Sequence, residues 1–286
     1  MDFALNEQQR AFQDSARDFA RHELAPFAAR WDEEETFPLD TLRRAGEMGF
    51  LGLYTPACYG GLELSRLDSA IVFEELAHGC TSTAAYLTIH NMVSWMIASF
   101  GAPALAEAWV PRMVTGELLG SYCLTEPNAG SDAAALQTRG VRDGDDYLLS
   151  GSKRYITNAP RAGAFTLMAR TDGPGAGGIS AFIVPSDLPG ITLGKPDKKM
   201  GQRGTKTCDV NLDNVRVPEN LRYLLEHLKI NHKMLAVTPI DDSYMHIDAA
   251  EVLAGLRRGR GEWQQDVPEV VAKRIIEKRL MGFDSE

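Results

Sequence analysis

Near residue 118 the hydrophobic pattern of this chain changes period, and that change constrains the fold more than any single residue does. Before it, apolar side chains recur at helical spacing. After it, short β-rich runs alternate with glycine turns. Neither a helical bundle nor an all-β domain accommodates both textures. The pattern predicts an α+β chain: an N-terminal helical domain over 1–118, then a small antiparallel β-barrel or sandwich over 119–220. A third segment, 221–286, is mixed in character.

Local signals fill in the first domain. Asn6 is placed to cap a helix, with Gln9 at the capping-box position. Phe12, Ala16, Phe19 and Ala20 then share one face. Pro26 and Pro38 interrupt the pattern. Further helices are expected over Leu39–Met48, stopped near Gly49, and over Leu67–His78, Thr83–Phe100 and Pro103–Val114. Pro111 is expected to kink or divide the last of these. In the second domain the strand candidates are Tyr122–Thr125, Gly140–Arg142, Tyr147–Ser150, Phe165–Arg170, Ile179–Pro185, Ile191–Gly194 and Cys208–Leu212. Asp143-Gly144 signals a hairpin. In the third segment Leu221–Ile230 and Pro268–Met281 read as helices, and Met234–Pro239 as a strand.

Composition excludes some functions. The 286 residues carry 30 Lys+Arg against 39 Asp+Glu, a net charge of −9. A nucleic-acid binder needs a clustered positive surface, so none is expected. No run of 18 apolar residues occurs, so no membrane span is expected. The N-terminus lacks the basic and apolar regions of a signal peptide. Cys58, Cys80, Cys123 and Cys208 are scattered without CxxC spacing, which suits reduced thiols in a cytoplasmic protein. His227, His232 and His246 lie near acidic residues in the tail. A spacing of five does not put the first two on one helical face, so no metal site is expected.

Two segments carry chemistry. Tyr122–Asp132, YCLTEPNAGSD, runs from a strand into a turn able to present backbone N–H groups and a hydroxyl to an anion or a polar ring edge. Gly151–Asn158, GSKRYITN, sets the aromatic face of Tyr155 beside the hydroxyl of Thr157, a pairing suited to a flat heteroaromatic cofactor. A third, Met200–Gly204, precedes the strand CDVNLDNVRVPEN. Singly, each reads as an ordinary turn or packing residue.

In this order and spacing the three motifs resemble the acyl-CoA dehydrogenase family, over residues 1 to about 220. Leu64–Asp68, Phe73–Thr83, Tyr86, Ile89–Met92, Trp95–Ile97, Ser99–Gly101 and Gly173–Ser180 are most similar to isobutyryl-CoA dehydrogenases of valine breakdown. The resemblance implies FAD as cofactor, with Tyr122, Leu124 and Thr125 lining the flavin and Gly130 and Ser131 meeting its pyrophosphate. Ser131 also faces the CoA side, and Tyr155, Ile156 and Thr157 pack on the flavin. It implies a short branched acyl-CoA as substrate, removal of its α-proton by a carboxylate, and hydride transfer to the flavin. An electron-transfer flavoprotein is the implied electron acceptor, and a homo-oligomer is compatible with it.

The tail departs from the family pattern. In the family a C-terminal four-helix domain carries the glutamate base and a glycine-rich FAD motif. Residues 221–286, with 10 basic and 11 acidic side chains, contain neither. Glu226, Glu251, Glu262, Glu269 and Glu277 read as solvated charges, and the catalytic residue stays unassigned. The basic Arg257–Gly261 stretch reads as a solvated loop. Two functions follow: an FAD-dependent acyl-CoA dehydrogenase, or a truncated or fused non-catalytic relative that acts as a binding or interaction module. Without the four-helix domain, an apolar face is expected to promote association.

Overall fold

The computed structural model describes residues 4–223 and a helix over Glu269–Lys278. The chain divides into two units, 1–234 and 235–286, and each is described by itself.

The first unit begins with α1 (Glu7–Phe19). Asn6 closes the expected capping box: its Oδ1 accepts the Gln9 N–H at 2.8 Å, and Gln9 Oε1 accepts the Asn6 N–H at 3.1 Å. Pro26 does not stop the chain from coiling. A π-turn over Ala20–Leu24 passes directly into α2 (Ala25–Glu33), with Pro26 in its first turn, where a missing N–H costs nothing. α3 (Leu39–Glu47) ends at Gly49, whose φ of 80° is the left-handed cap a glycine supplies. α4 (Arg66–Gly79), α5 (Thr81–Phe100) and α6 (Pro103–Val114) complete the α-helices among the described residues of this unit. Pro111 lies inside α6 without dividing it.

The sheet follows the order β6-β7-β3-β2-β4-β5-β8, with β1 added beside β4. Its strands are β1 (Gly120–Cys123), β2 (Arg139–Asp143), β3 (Asp146–Thr157), β4 (Ala164–Arg170), β5 (Ile179–Pro185), β6 (Ile191–Leu193), β7 (Thr207–Pro218) and β8 (Arg222–Tyr223). Most pairs are antiparallel, but β1 runs parallel to β4, from Gly120↔Ala164 to Cys123↔Leu167. Asp143-Gly144 turns β2 into β3 as expected. The helix expected from Leu221 does not start there: Leu221 ends a 3-10 turn over Glu219–Leu221, and Arg222 and Tyr223 pair with β5. The remainder of that expected helix and the Met234–Pro239 strand lie outside the described residues. So do Arg257–Gly261 and the tail histidines. In the second unit, α7 (Glu269–Lys278) matches the helix expected over Pro268–Met281.

Alternation explains how sheet and helices join. Phe165, Leu167 and Ala169 of β4, with Phe182 and Val184 of β5, point into the sheet's own core beside Leu149, Val210 and Val215. Ala164, Met168, Ala181 and Ile183 point the other way, onto Val93, Ile97, Val110 and Met113 of α5 and α6. Both faces of β4 are therefore buried, which is why AFTLMAR is apolar without a gap. Gly120 lets β1 lie close on α5, since a Cβ there would sit 2.8 Å from Val93 Cγ1.

Candidate functional site

The two chemistry-bearing segments meet. Ser121 of β1 donates its hydroxyl to the Thr157 carbonyl at 2.7 Å, and the Arg154 N–H donates to the Thr125 carbonyl at 2.7 Å. These bonds lay Tyr122–Thr125 alongside Arg154–Thr157. The chain then turns through Glu126–Ala129, whose backbones bond at 2.8 and 3.2 Å, into exposed Gly130 and Ser131. A Cβ on Gly130 would meet only Thr125 Cγ2, at 4.0 Å, so the glycine faces an open shelf.

Tyr155 stands out from this shelf. It is 60% exposed and has φ 57°, a strained value for an aromatic residue. A bulge causes both. The register of β3 on β7 slips between Lys153 and Ile156. Tyr147, Leu149 and Lys153 point inward before the slip; after it Ile156 points inward and Tyr155 outward. The Ile156 side chain therefore belongs to the sheet core, not to the shelf. The Arg154 guanidinium lies 4.5 Å from the Tyr155 ring centre and is paired with Asp209 at 2.6 Å. Tyr122 and Leu124 are half-buried against the α5–α6 core, and burial raises the Tyr122 phenol above its usual value.

Beneath the shelf lies a buried ion pair. Lys153 is wholly out of water, and its Nζ donates to Glu126 Oε1 at 2.7 Å and to the Leu124 carbonyl at 3.2 Å. The Glu126 carboxylate also accepts the N–H groups of Gln137 at 2.6 Å and Thr138 at 3.0 Å. Burial pushes Glu126 toward the neutral acid, but the bonds from Lys153, Thr138 and Gln137 outweigh it and hold the group below its usual value. Burial lowers Lys153, and Glu126 offsets part of that. Both residues stand inside the quoted motifs, yet only their neighbours were singled out. A signal for them existed: period-two alternation from Tyr147 and Leu149 puts Lys153 on the inward face, and an inward lysine needs a carboxylate.

A second polar layer anchors β1 to the helices. His90 of α5 is fully buried; its Nδ1 accepts the Gly120 N–H at 3.1 Å, so its Nε2 carries the proton donated to the Met113 carbonyl at 2.9 Å. Burial keeps the ring neutral, with its pKa pushed down to about 4. Tyr86 donates to the Gly120 carbonyl at 3.3 Å. Asn158, in the left-handed region at φ 60°, follows the shelf strand, with its side chain buried beside Tyr86.

The residues suit a flat, polar-edged group with an anionic extension. Tyr155 offers a ring face, Thr125 and Thr157 offer hydroxyls, and the exposed loop at Gly130 and Ser131 offers backbone amides. Three clefts among the described residues lie elsewhere, along α1–α4, along α2–α3, and between the 134–137 and 172–175 loops. No helix among the described residues is long and apolar enough to cross a membrane.

Comparison with known proteins bears on this arrangement. Residues 6–117 match the family described as acyl-CoA dehydrogenase, N-terminal domain, and residues 121–215 match acyl-CoA dehydrogenase, middle domain. Over 214 residues the chain is 47% identical to the mitochondrial isobutyryl-CoA dehydrogenase of Bos taurus, covering 75% of this chain and 51% of that one. It is 42% identical to the Dictyostelium discoideum isobutyryl-CoA dehydrogenase, covering 75% and 52%. The chain thus spans about half the length of these relatives. Among solved structures, a glutaryl-CoA dehydrogenase complexed with glutaryl-CoA superposes with TM-score 0.74 at 36% identity, covering 78% of this chain and 57% of that one. The butyryl-CoA dehydrogenase of Megasphaera elsdenii gives 0.73 at 32% identity, covering 80% and 63%. A structure titled as an electron transferring flavoprotein of Acidaminococcus fermentans gives 0.74 at 35%, covering 78% and 59%.

Proposed function

The chain belongs to the acyl-CoA dehydrogenase family through its N-terminal and middle domains, and from that premise we propose that its shelf is the flavin-facing half of an FAD-dependent acyl-CoA dehydrogenase. The proposed substrate is a short branched acyl-CoA of the isobutyryl type, and the proposed electron acceptor is an electron-transfer flavoprotein. The 42–47% identity to isobutyryl-CoA dehydrogenases supports the substrate class. The observation that carries the reading is the bonding of the Tyr122–Ser131 loop to the Arg154–Thr157 strand, which leaves Tyr155 exposed beside Thr125.

In this reading Tyr155 packs on the flavin, and Tyr122, Leu124, Thr125 and Thr157 line its edge. Ile156 contributes only backbone, since its side chain is interior. The amides of Gly130 and Ser131 meet the pyrophosphate, with Ser131 also toward the CoA side. FAD, when bound, supplies the hydride acceptor. The chain's own part is to hold substrate and cofactor in line, because neither C–H bond of the acyl chain is reactive alone. No described residue is assigned as the base. A cytoplasmic location is part of the proposal, and the four cysteines are all unpaired thiols.

Reconstitution decides it. The full chain, incubated with FAD, is expected to retain a flavin absorption band that bleaches on anaerobic mixing with isobutyryl-CoA. Retention without bleaching by any short acyl-CoA would make the protein the non-catalytic binding module instead. A colourless protein that takes up no FAD would sink the dehydrogenase reading, and measurable turnover of any short acyl-CoA would overturn the non-catalytic one.

A further inference from the structure

We infer that the buried Lys153–Glu126 ion pair is a positioning device that sets the spacing of the whole shelf. This rests on the flavin reading of that surface. Glu126 stands at the entry of the exposed loop, and its carboxylate accepts the N–H groups of Gln137 and Thr138 at the exit. One carboxylate therefore closes the loop that contains Gly130 and Ser131. Lys153 then ties that closure to β3: its ammonium bonds Glu126 and the Leu124 carbonyl, two residues before the bulge that turns Tyr155 outward. Thr125 is also held to this strand directly, by the Arg154 N–H, but the closure of the loop that carries Ser131, and with it the distance from Ser131 to Thr125 and Tyr155, passes through this pair.

Stability alone does not account for it. Two charges taken out of water pay a desolvation cost that their attraction often fails to recover, and an apolar pair of equal volume commonly folds at least as well. An apolar pair, however, cannot donate to the Leu124 carbonyl or accept from Gln137 and Thr138. Directional bonds are what the charges add, and each ends on backbone of the loop. The other ionisable neighbour is the Cys123 thiol, which burial keeps protonated. It leaves Lys153 with one anionic partner among the described residues.

The test separates spacing from folding. The double variant Lys153→Met with Glu126→Leu removes both charges and leaves neither stranded. Amide hydrogen exchange over residues 124–138 is expected to accelerate about tenfold or more, the equivalent of one lost charge-assisted bond. Amides of α5, β4 and β5 are expected to stay protected, and FAD is expected to bind about tenfold more weakly. Unchanged exchange across the loop overturns the inference, whether or not the wild-type chain binds FAD. So does wild-type FAD affinity in the double variant. Absence of FAD binding by the wild type defeats the flavin reading alone, because the exchange measurement still decides the role of the pair. If the double variant does not fold, Glu126→Gln, which keeps shape and one acceptor, is read by the same two measurements, with a smaller acceleration expected.

Discussion

Asn91 and Tyr155 lie in the same unit of the protein under opposite conditions. Asn91, at the joint between α5 and the loop before α4, is fully buried, and its amide bonds the Leu53 N–H at 2.7 Å and the carbonyls of Phe50 and Leu87 at 2.8 and 2.9 Å. Tyr155, on the shelf, is mostly exposed, holds a strained backbone angle and carries the guanidinium of its neighbour Arg154 over its ring. At the joint, every group withdrawn from water at Asn91 and His90 is repaid by a bond. At the shelf, exposed surface and strain persist with no visible gain in folding. Strain of that kind is tolerated where the surrounding structure over-determines it, and it concentrates at ligand sites.

The contrast breaks most visibly in the buried interior, at the sheet core and at the joint. Phe182 is fully buried, with its ring 5.3 Å from that of Tyr147, so Phe182→Ala is expected to cost about 3–5 kcal/mol in a urea melt. Asn91→Ala removes no large apolar volume but strands the Leu53 N–H and the Phe50 carbonyl, while the Leu87 carbonyl keeps its helical bond within α5, and a loss of about 3 kcal/mol is expected. A cost under about 1 kcal/mol for either would mean that the interior at that residue is looser than its packing and bonds suggest.

Acid probes the joint without a large cavity. His90 titrates near 6.5 unfolded but near 4 folded, so between those values the unfolded chain holds the extra proton. Stability is therefore expected to fall as pH drops from about 6.5 to 4, by up to about 3 kcal/mol, and to lose no more from this group below that. Melts at pH 7 and pH 4.5 measure it. In His90→Gln the slope across this window is expected to flatten; an unchanged slope would assign the acid sensitivity to other groups.

How much of this could be read from sequence differs between the two regions, for a physical reason. The joint and sheet follow periodicity: the Asn6 capping box, the Gly49 stop, the Asp143-Gly144 hairpin and the run Ile179–Pro185 all stand where the pattern put them. Periodicity fails at irregularities. Strict alternation from Leu149 sends Tyr155 inward and Ile156 outward, and one bulge reverses both. Pro26 looked like a break because a π-turn leaves no mark in composition. β1 was displaced by two residues, since its parallel pairing with β4 is long-range and has no local signature. Glu126 and Lys153 were hidden because a charged residue in a motif reads as surface until its partner is known.

The smallest expected change in folding carries the sharpest comparison. Tyr155→Gly releases the strain of φ 57°, worth about 1 kcal/mol or more, but adds backbone freedom to the unfolded chain, worth about 0.5–1 kcal/mol against folding. The two nearly cancel, so stability is expected to move by less than about 1 kcal/mol. Binding is expected to behave differently. If the exposed ring packs on a flavin, its loss removes an aromatic contact worth about 0.5–1.5 kcal/mol beyond area burial, and FAD affinity falls up to about tenfold. Tyr155→Phe keeps the ring and should keep both quantities. A destabilisation above about 2 kcal/mol in Tyr155→Gly would place the tyrosine with the joint residues and remove it from the shelf. Unchanged stability with unchanged FAD affinity would leave the strain without a ligand to explain it. Only the split, folding kept and FAD weakened, fits a residue held in a costly conformation for something outside the chain.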